Sequence, residues 1–449
     1  MKRLRETFAN IWNIEELRSK ILTTLGLLLI YRIGSTVLLP GIDPDSLSRL
    51  QEQSSEGLLG VLNAFTGGAF SRASVLALGI MPYISASIII QLLGMAVPAV
   101  QKMQKDGESG RRKLNQITRY LTIVIAGVQA PSYLANLNMQ QVEYTMGQGT
   151  FLFLAWVTLT AGTVFAMWLG ERITDKGIGN GISLLIMVGI IATFPQAFFQ
   201  ELVSQTGEGG AGWVAFVIEL FALFVITMFA IALTQAVRKI PVQYAKQVAA
   251  GGRPSATPTA RQYLPIKVNA AGVMPIIFAQ AIMFIPITVL QASGAEGDFV
   301  ANMIAIFGNL QSWQYNLTFA LLIIVFTYFY TAIQVNTNNI ADDLKRNGGF
   351  VPGVKPGGPT AEFLDVVLSR ITFPGSLLLA VIAILPALAM TVGMNTQWSY
   401  FYGGTSLLIT VGVILDTLQQ VESYLLNRHY DGLMKSGKLR GRTTQGSMM

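Results

Sequence analysis

Few residues in this chain could make or break bonds. Its 449 residues include no cysteine and one histidine, His429, which lies in a polar tail. That set builds no disulfide, no thiolate nucleophile and no imidazole metal site. No phosphate loop, HExxH, GxSxG or paired-carboxylate motif is present. No catalytic residue, metal or cofactor is therefore expected, and any work must be driven by a partner or a gradient. What remains is a handful of polar side chains set into long apolar runs: Arg32, Ser85, Ser87, Gln91, Glu219, Asn269 and Gln280. In hydrocarbon each needs a partner or a wet cavity, so each is a functional candidate. Their chemistry is hydrogen bonding along a passage. Arg32 suits backbone carbonyls or a lipid head group, and Glu219, six residues into its run, suits the far interface.

The elements that carry these residues read as membrane spans. The chain is 52% hydrophobic and 12% charged, with mean hydropathy +0.50 and net charge +7. A soluble domain carries about twice that charge fraction. Apolar runs predict ten spans: 21–39, 76–97, 121–137, 151–169, 182–199, 213–233, 268–290, 317–335, 373–394 and 400–415. The second has no charge over 22 residues, and as a helix it would reach roughly 33 Å, enough to cross a bilayer core. Counted across the connections, 28 Lys and Arg fall on one side and two on the other. That asymmetry makes both termini cytoplasmic and supports the span count.

Within this plan some stretches are irregular. Gly57–Phe70 is apolar but too short to span, and reads as a re-entrant or capping piece. LALGIMPYISASIIIQLLGMAV (76–97) carries Gly79, Pro82 and polar groups. KVNAAGVMPIIFAQAI (267–282) repeats that logic with Pro275, Asn269 and Gln280. Two proline-broken polar helices facing each other would form a seam able to open. GERITDKGIGNGIS (170–183) reads as a tight helix connector. The predicted organisation is an interfacial segment 1–20, a first half 21–199, an outer hinge loop 200–212, a second half 213–421 and a tail 422–449. Two long basic loops, 238–267 and 336–370, suit docking of a partner or serve as linkers.

SRASVLALGIMPYISASIIIQLL, KDGESGRRKLNQITRY, MWLGERITDKGIGNGIS, LPIKVNAAGVMP, GGFVPGVKPG and YFYGGTSLLI occur in that order along the chain. Together they resemble the SecY family, the large subunit of the bacterial Sec protein-conducting channel, over roughly residues 15–440. The resemblance implies an all-α integral membrane protein of ten transmembrane helices, in two inverted five-helix halves that form a clamshell around a central pore. It implies a plug at 58–73 and a ring of Ile80, Ile84, Ile186, Ile277 and Ile409. A lateral gate would lie between the second and seventh spans, with a polar cluster at Ser85, Gln129 and Asn269. Arg238, Lys239, Arg253, Arg346 and Lys355 would dock partners. The family usually carries arginine where this chain has Lys355, and lysine keeps the charge without the planar two-pronged fork. The implied partners are the small subunits SecE and SecG, the SecA motor, the ribosome through RNA and protein at its exit site, signal peptides, unfolded polypeptides and membrane lipids. The implied place is the bacterial inner membrane.

These implications fit the physics. A ring of flexible aliphatic side chains can deform around any peptide and still exclude water. A gate with few hydrogen bonds can be opened by an apolar segment partitioning into lipid. Basic loops suit an RNA surface. A secondary transporter would want ionisable residues deep in several spans, which this chain lacks, and a scaffold would not need polar, proline-broken helices.

Overall fold

The computed structural model describes residues 12, 14–47, 57–139, 142, 144–207, 212–244, 262–293, 302 and 306–435. Each of the ten expected spans falls on a helix. They are α1 (Glu15–Gly34), α3 (Met81–Ala96), α5 (Gly107–Met139), α6 (Gln148–Lys176), α7 (Gly181–Thr206), α8 (Trp213–Gln235), α9 (Met274–Ser293), α10 (Trp313–Gln334), α12 (Gly358–Thr391) and α14 (Gly404–Lys435). Between them lie α2 (Gly57–Thr66), α4 (Pro98–Lys105), α11 (Thr337–Arg346) and α13 (Thr396–Ser399). Among the described residues, six helices are long and apolar enough to cross a membrane unaided, and α3 with α4, bent by 103°, makes a seventh if the pair is one broken span. The break follows Val97, where Pro98 disfavours a helical predecessor. Helices α1 and α5 fall short for visible reasons: α1 carries charges at both ends, and the apolar part of α5 contains Gln129, Pro131 and Asn136.

The prolines of the two polar spans act differently from a mid-helix break. Residues 75–80 are turns, and α3 starts at Met81 with Pro82 in its first turn. There the missing N–H costs nothing and no interior carbonyl is freed. The second stretch follows the same plan. Gly79 and Gly272 both adopt positive φ, 54° and 63°, two residues before helices that begin Met-Pro. The shared G-x-M-P sequence is thus a repeated helix-start device.

The chain divides into two units. The first is Met1–Leu50, Phe65–Ala192 and Val413–Met449; the second is Gln51–Ala64 and Thr193–Gly412. In the first, α3 packs on α5, α5 on α6, and α6 on α1. The connector at 177–180 is clasped by its neighbours: Ile178 N donates to Thr24 Oγ1 at 3.0 Å and Gly179 N to Gln420 Oε1 at 2.9 Å. In the second unit α10 packs on α9 and α12, and α11 on α12. That unit also holds a sheet in the order β2-β1-β3, made of β1 (Val237–Tyr244), β2 (Gln262–Lys267) and β3 (Gly349–Phe350), all antiparallel.

Candidate functional site

The expected plug is a helix with a tightly held end. The run 57–66 forms α2, and residues 67–73 that follow are turns. Gly67 sits at φ 66°, and a Cβ there would come within 2.8 Å of Gly189 Cα on α7. On another side, a Cβ at Gly79 would meet Thr66 Cγ2 at 3.1 Å. Gly79 precedes Ile80, and Gly189 lies one turn beyond Ile186. The end of α2 is therefore wedged between the backbones that carry two of the predicted ring residues, and both isoleucines are buried. Arg32 reaches the same turn from α1, its Nη1 donating to the Gly67 carbonyl at 3.1 Å. Of the two partners the sequence allowed, the backbone carbonyl is the one found.

The remaining predicted residues divide between the units. Ile84, Ser85 and Gln129 are half-buried in the first, with Ile80 and Ile186. Ile277, Ile409 and Asn269 belong to the second. Ile409 is buried and Ile277 half-buried. Their helices approach closely, because a Cβ at Gly412, one turn after Ile409, would lie 3.3 Å from Val273 Cγ1, one turn before Ile277. Asn269 is 4% exposed, and among the described residues neither its amide nitrogen nor its amide oxygen has a hydrogen-bond partner.

The two basic loops come together as one folded platform. β1 pairs with β2 from Val237↔Lys267 to Val242↔Gln262, and its end pairs with β3 at Gln243↔Phe350 and Tyr244↔Gly349. Alternation along β1 turns Ile240 and Val242 inward. Ile240, Ile266 and Val351 form a core with Leu364 and Leu368 of α12. Arg238, Lys239, Arg346 and Lys355 are all exposed. Arg346 ends α11, where a cation suits the helix dipole. The Lys355 carbonyl accepts from Thr360 Oγ1 at 2.8 Å, which fixes the turn that presents its side chain. Arg253 lies outside the described residues, as does most of the expected interfacial segment.

Glu219 does not sit at an open interface. It is 6% exposed, and Gln205 Nε2 donates both to its Oε1 at 3.0 Å and to Glu201 Oε1 at 2.7 Å. Asn395 N donates to Glu201 Oε2 at 2.9 Å, and Tyr402 Oη to the Glu219 carbonyl at 2.6 Å. These bonds tie α7, α8 and the 395–402 connection together beside the buried Trp398. Sequence reading missed Glu201 and Gln205, because they were placed in an outer loop although α7 runs on to Thr206. Their i, i+4 spacing was the available signal.

Comparison with known proteins bears directly on this arrangement. The SecY family model matches residues 74–418. The chain belongs to the SecY family. It is 41% identical over 440 residues to the protein translocase subunit SecY of Streptomyces scabiei, covering 95% of this chain and 99% of that protein. It is 44% identical over 443 residues to the SecY subunit of Bacillus licheniformis, covering 96% and 99%. Among solved structures, a protein-conducting channel matches with a TM-score of 0.65 at 15% identity, over 96% of this chain and 95% of that one. Sec61 in the canine ribosome–channel complex from the endoplasmic reticulum matches at 0.60 and 16%, over 96% and 95%. At such identities the likeness is one of fold. This SecY-family chain is a multi-pass membrane protein with the helical fold of the protein-conducting channels.

Proposed function

We propose that this chain is the channel-forming subunit of a bacterial Sec translocase. It passes unfolded secretory polypeptides across the inner membrane and releases transmembrane segments sideways into lipid. It is not an enzyme: a partner ATPase, the ribosome or the proton-motive force drives transport. Both termini are cytoplasmic, a reading that the distribution of Lys and Arg supports. Ile80, Ile84, Ile186, Ile277 and Ile409 line the narrow part of the passage. Helix α2 and its turn, within 58–73, plug it at rest. Ser85, Gln129 and Asn269 are the polar groups of a lateral gate between α3 and α9. SecE and SecG complete the complex. SecA and the ribosome dock on the basic platform of Arg238, Lys239, Arg346 and Lys355, with Arg253 on the same β1–β2 connection.

One observation supports this reading: the turn that ends α2 packs against Gly79 and Gly189, whose backbones lead directly to Ile80 and Ile186 of the proposed ring. A water-excluding aliphatic constriction makes ion passage costly. The chain has no cysteine, which gives a clean test. A single cysteine is placed at Ile84, or separately at Ile277, and a secretory precursor with one cysteine is stalled midway through transport. Disulfides at both positions, and none at the exposed Leu321 of α10, are expected. No disulfide at either position, with the precursor engaged, overturns the assignment of the passage.

A further inference from the structure

We propose that Arg32 and Arg72 are the positioning residues that fasten the resting plug, a proposal that rests on reading α2 as the plug. The turn that ends α2 accepts three hydrogen bonds from guanidinium groups. Arg32 Nη1 donates to the Gly67 carbonyl at 3.1 Å, Arg72 Nη2 to the same oxygen at 2.9 Å, and Arg72 Nε to the Gly68 carbonyl at 3.0 Å. These carbonyls lie at a helix C-terminus, where partial negative charge accumulates and cations are favoured. Both side chains are half-buried, and among the described residues neither is in an ion pair. Their charge is therefore directed at the turn.

The chain beyond the turn is held by different groups. Tyr133 Oη donates to the Phe70 carbonyl at 2.8 Å. Leu39 N donates to the Ala73 carbonyl at 2.9 Å, and Val75 N to the Val37 carbonyl at 2.9 Å. Residues 70–75 are thus pinned to α5 and to the segment after α1, independently of the arginines. Displacement of α2 then pivots at Gly67 and Gly68, which sit at φ 66° and 84°. It breaks the arginine bonds and spares the others. Arg72 is local to the turn, whereas Arg32 reaches it from another span.

The test uses the assembled translocase in proteoliposomes, with ion leak read at rest. Arg32→Met should raise the resting leak roughly tenfold, the effect of losing one hydrogen bond to a charged group, and Arg72→Met, which loses two, should raise it further. Arg32→Lys should recover much of the seal, because one ammonium can reach one carbonyl. Arg72→Lys should recover less, because its two bonds use the planar fork. A structural defect alone would not show the following pattern: in a channel lacking residues 58–65, which leaks by itself, the arginine substitutions add no further leak. A cysteine at Asn63 should also react faster with a membrane-impermeant maleimide in Arg32→Met and Arg72→Met than in the parent, and Arg72→Lys, which recovers less of the seal, serves if the methionine variants fail to fold. Wild-type leak and wild-type Asn63→Cys reactivity in the arginine variants, while the truncated channel leaks, overturn the fastening role. If truncation itself causes no leak, the plug reading fails, and the fastening role with it.

Discussion

Asn269 is in surroundings that suit it poorly. A buried amide with no partner costs about 1–3 kcal/mol, and among the described residues both of its polar atoms are in that position. Such a group is tolerable if another conformation supplies the partner, as a gate that moves would do. Asn269→Leu should therefore raise the resting stability by about 1–2 kcal/mol, seen as a higher unfolding temperature of the purified complex. The same change should slow transport, because the conformation that pairs the amide loses its advantage. A variant that is stabilised and transports at the normal rate would show that the amide takes no part in opening. The residue scale is also where sequence said least. That Arg32 was charged inside an apolar run was plain, but its target, a carbonyl 35 residues away in the chain, depends on how α1 packs beside the end of α2. Glu219 likewise looked interfacial until α7 proved long enough to bring Gln205 to it.

At the scale of elements, legibility followed hydropathy. Long apolar runs announced every spanning helix, since a lipid-exposed segment must satisfy its backbone internally. The sheet was not announced. Its strands are short and largely exposed, and β1 meets β3 more than a hundred residues later, so no local period marks the partnership. Yet that non-local pairing converts two basic loops into one surface, and it sets what charge reversal should do. Arg346→Glu with Lys355→Glu alters exposed side chains while leaving the core of Ile240, Ile266 and Leu364 intact. Ribosome affinity should fall, and the slope of log affinity against log salt should flatten by roughly one for each phosphate that is no longer neutralised. The unfolding temperature should stay unchanged. Normal ribosome affinity together with normal SecA-driven transport would remove this platform from docking.

For the whole molecule the central question is how a passage that accepts any polypeptide can also hold back ions. The proposed ring of Ile80, Ile84, Ile186, Ile277 and Ile409 would offer no specific pocket, only deformable apolar surface, so on that reading its seal comes from exclusion of water. The proposed plug would add a second barrier, and the two should then fail separately. Ile84→Gly with Ile277→Gly leaves Arg32, Arg72 and the turn at Gly67 untouched while removing two side chains from the constriction. Both positions are half-buried, so the stability loss should be smaller than for a fully packed core residue. Resting leak should rise modestly, because the plug still covers the opening. Leak during transport should rise far more, since on that reading the plug is displaced and only the ring surrounds the moving chain. Transport itself should continue, as a wider constriction does not obstruct it. Conductance measured with and without an engaged precursor separates the two barriers. Equal leak in both conditions would mean that the isoleucines do not close around the substrate, and the seal would then belong to the plug alone.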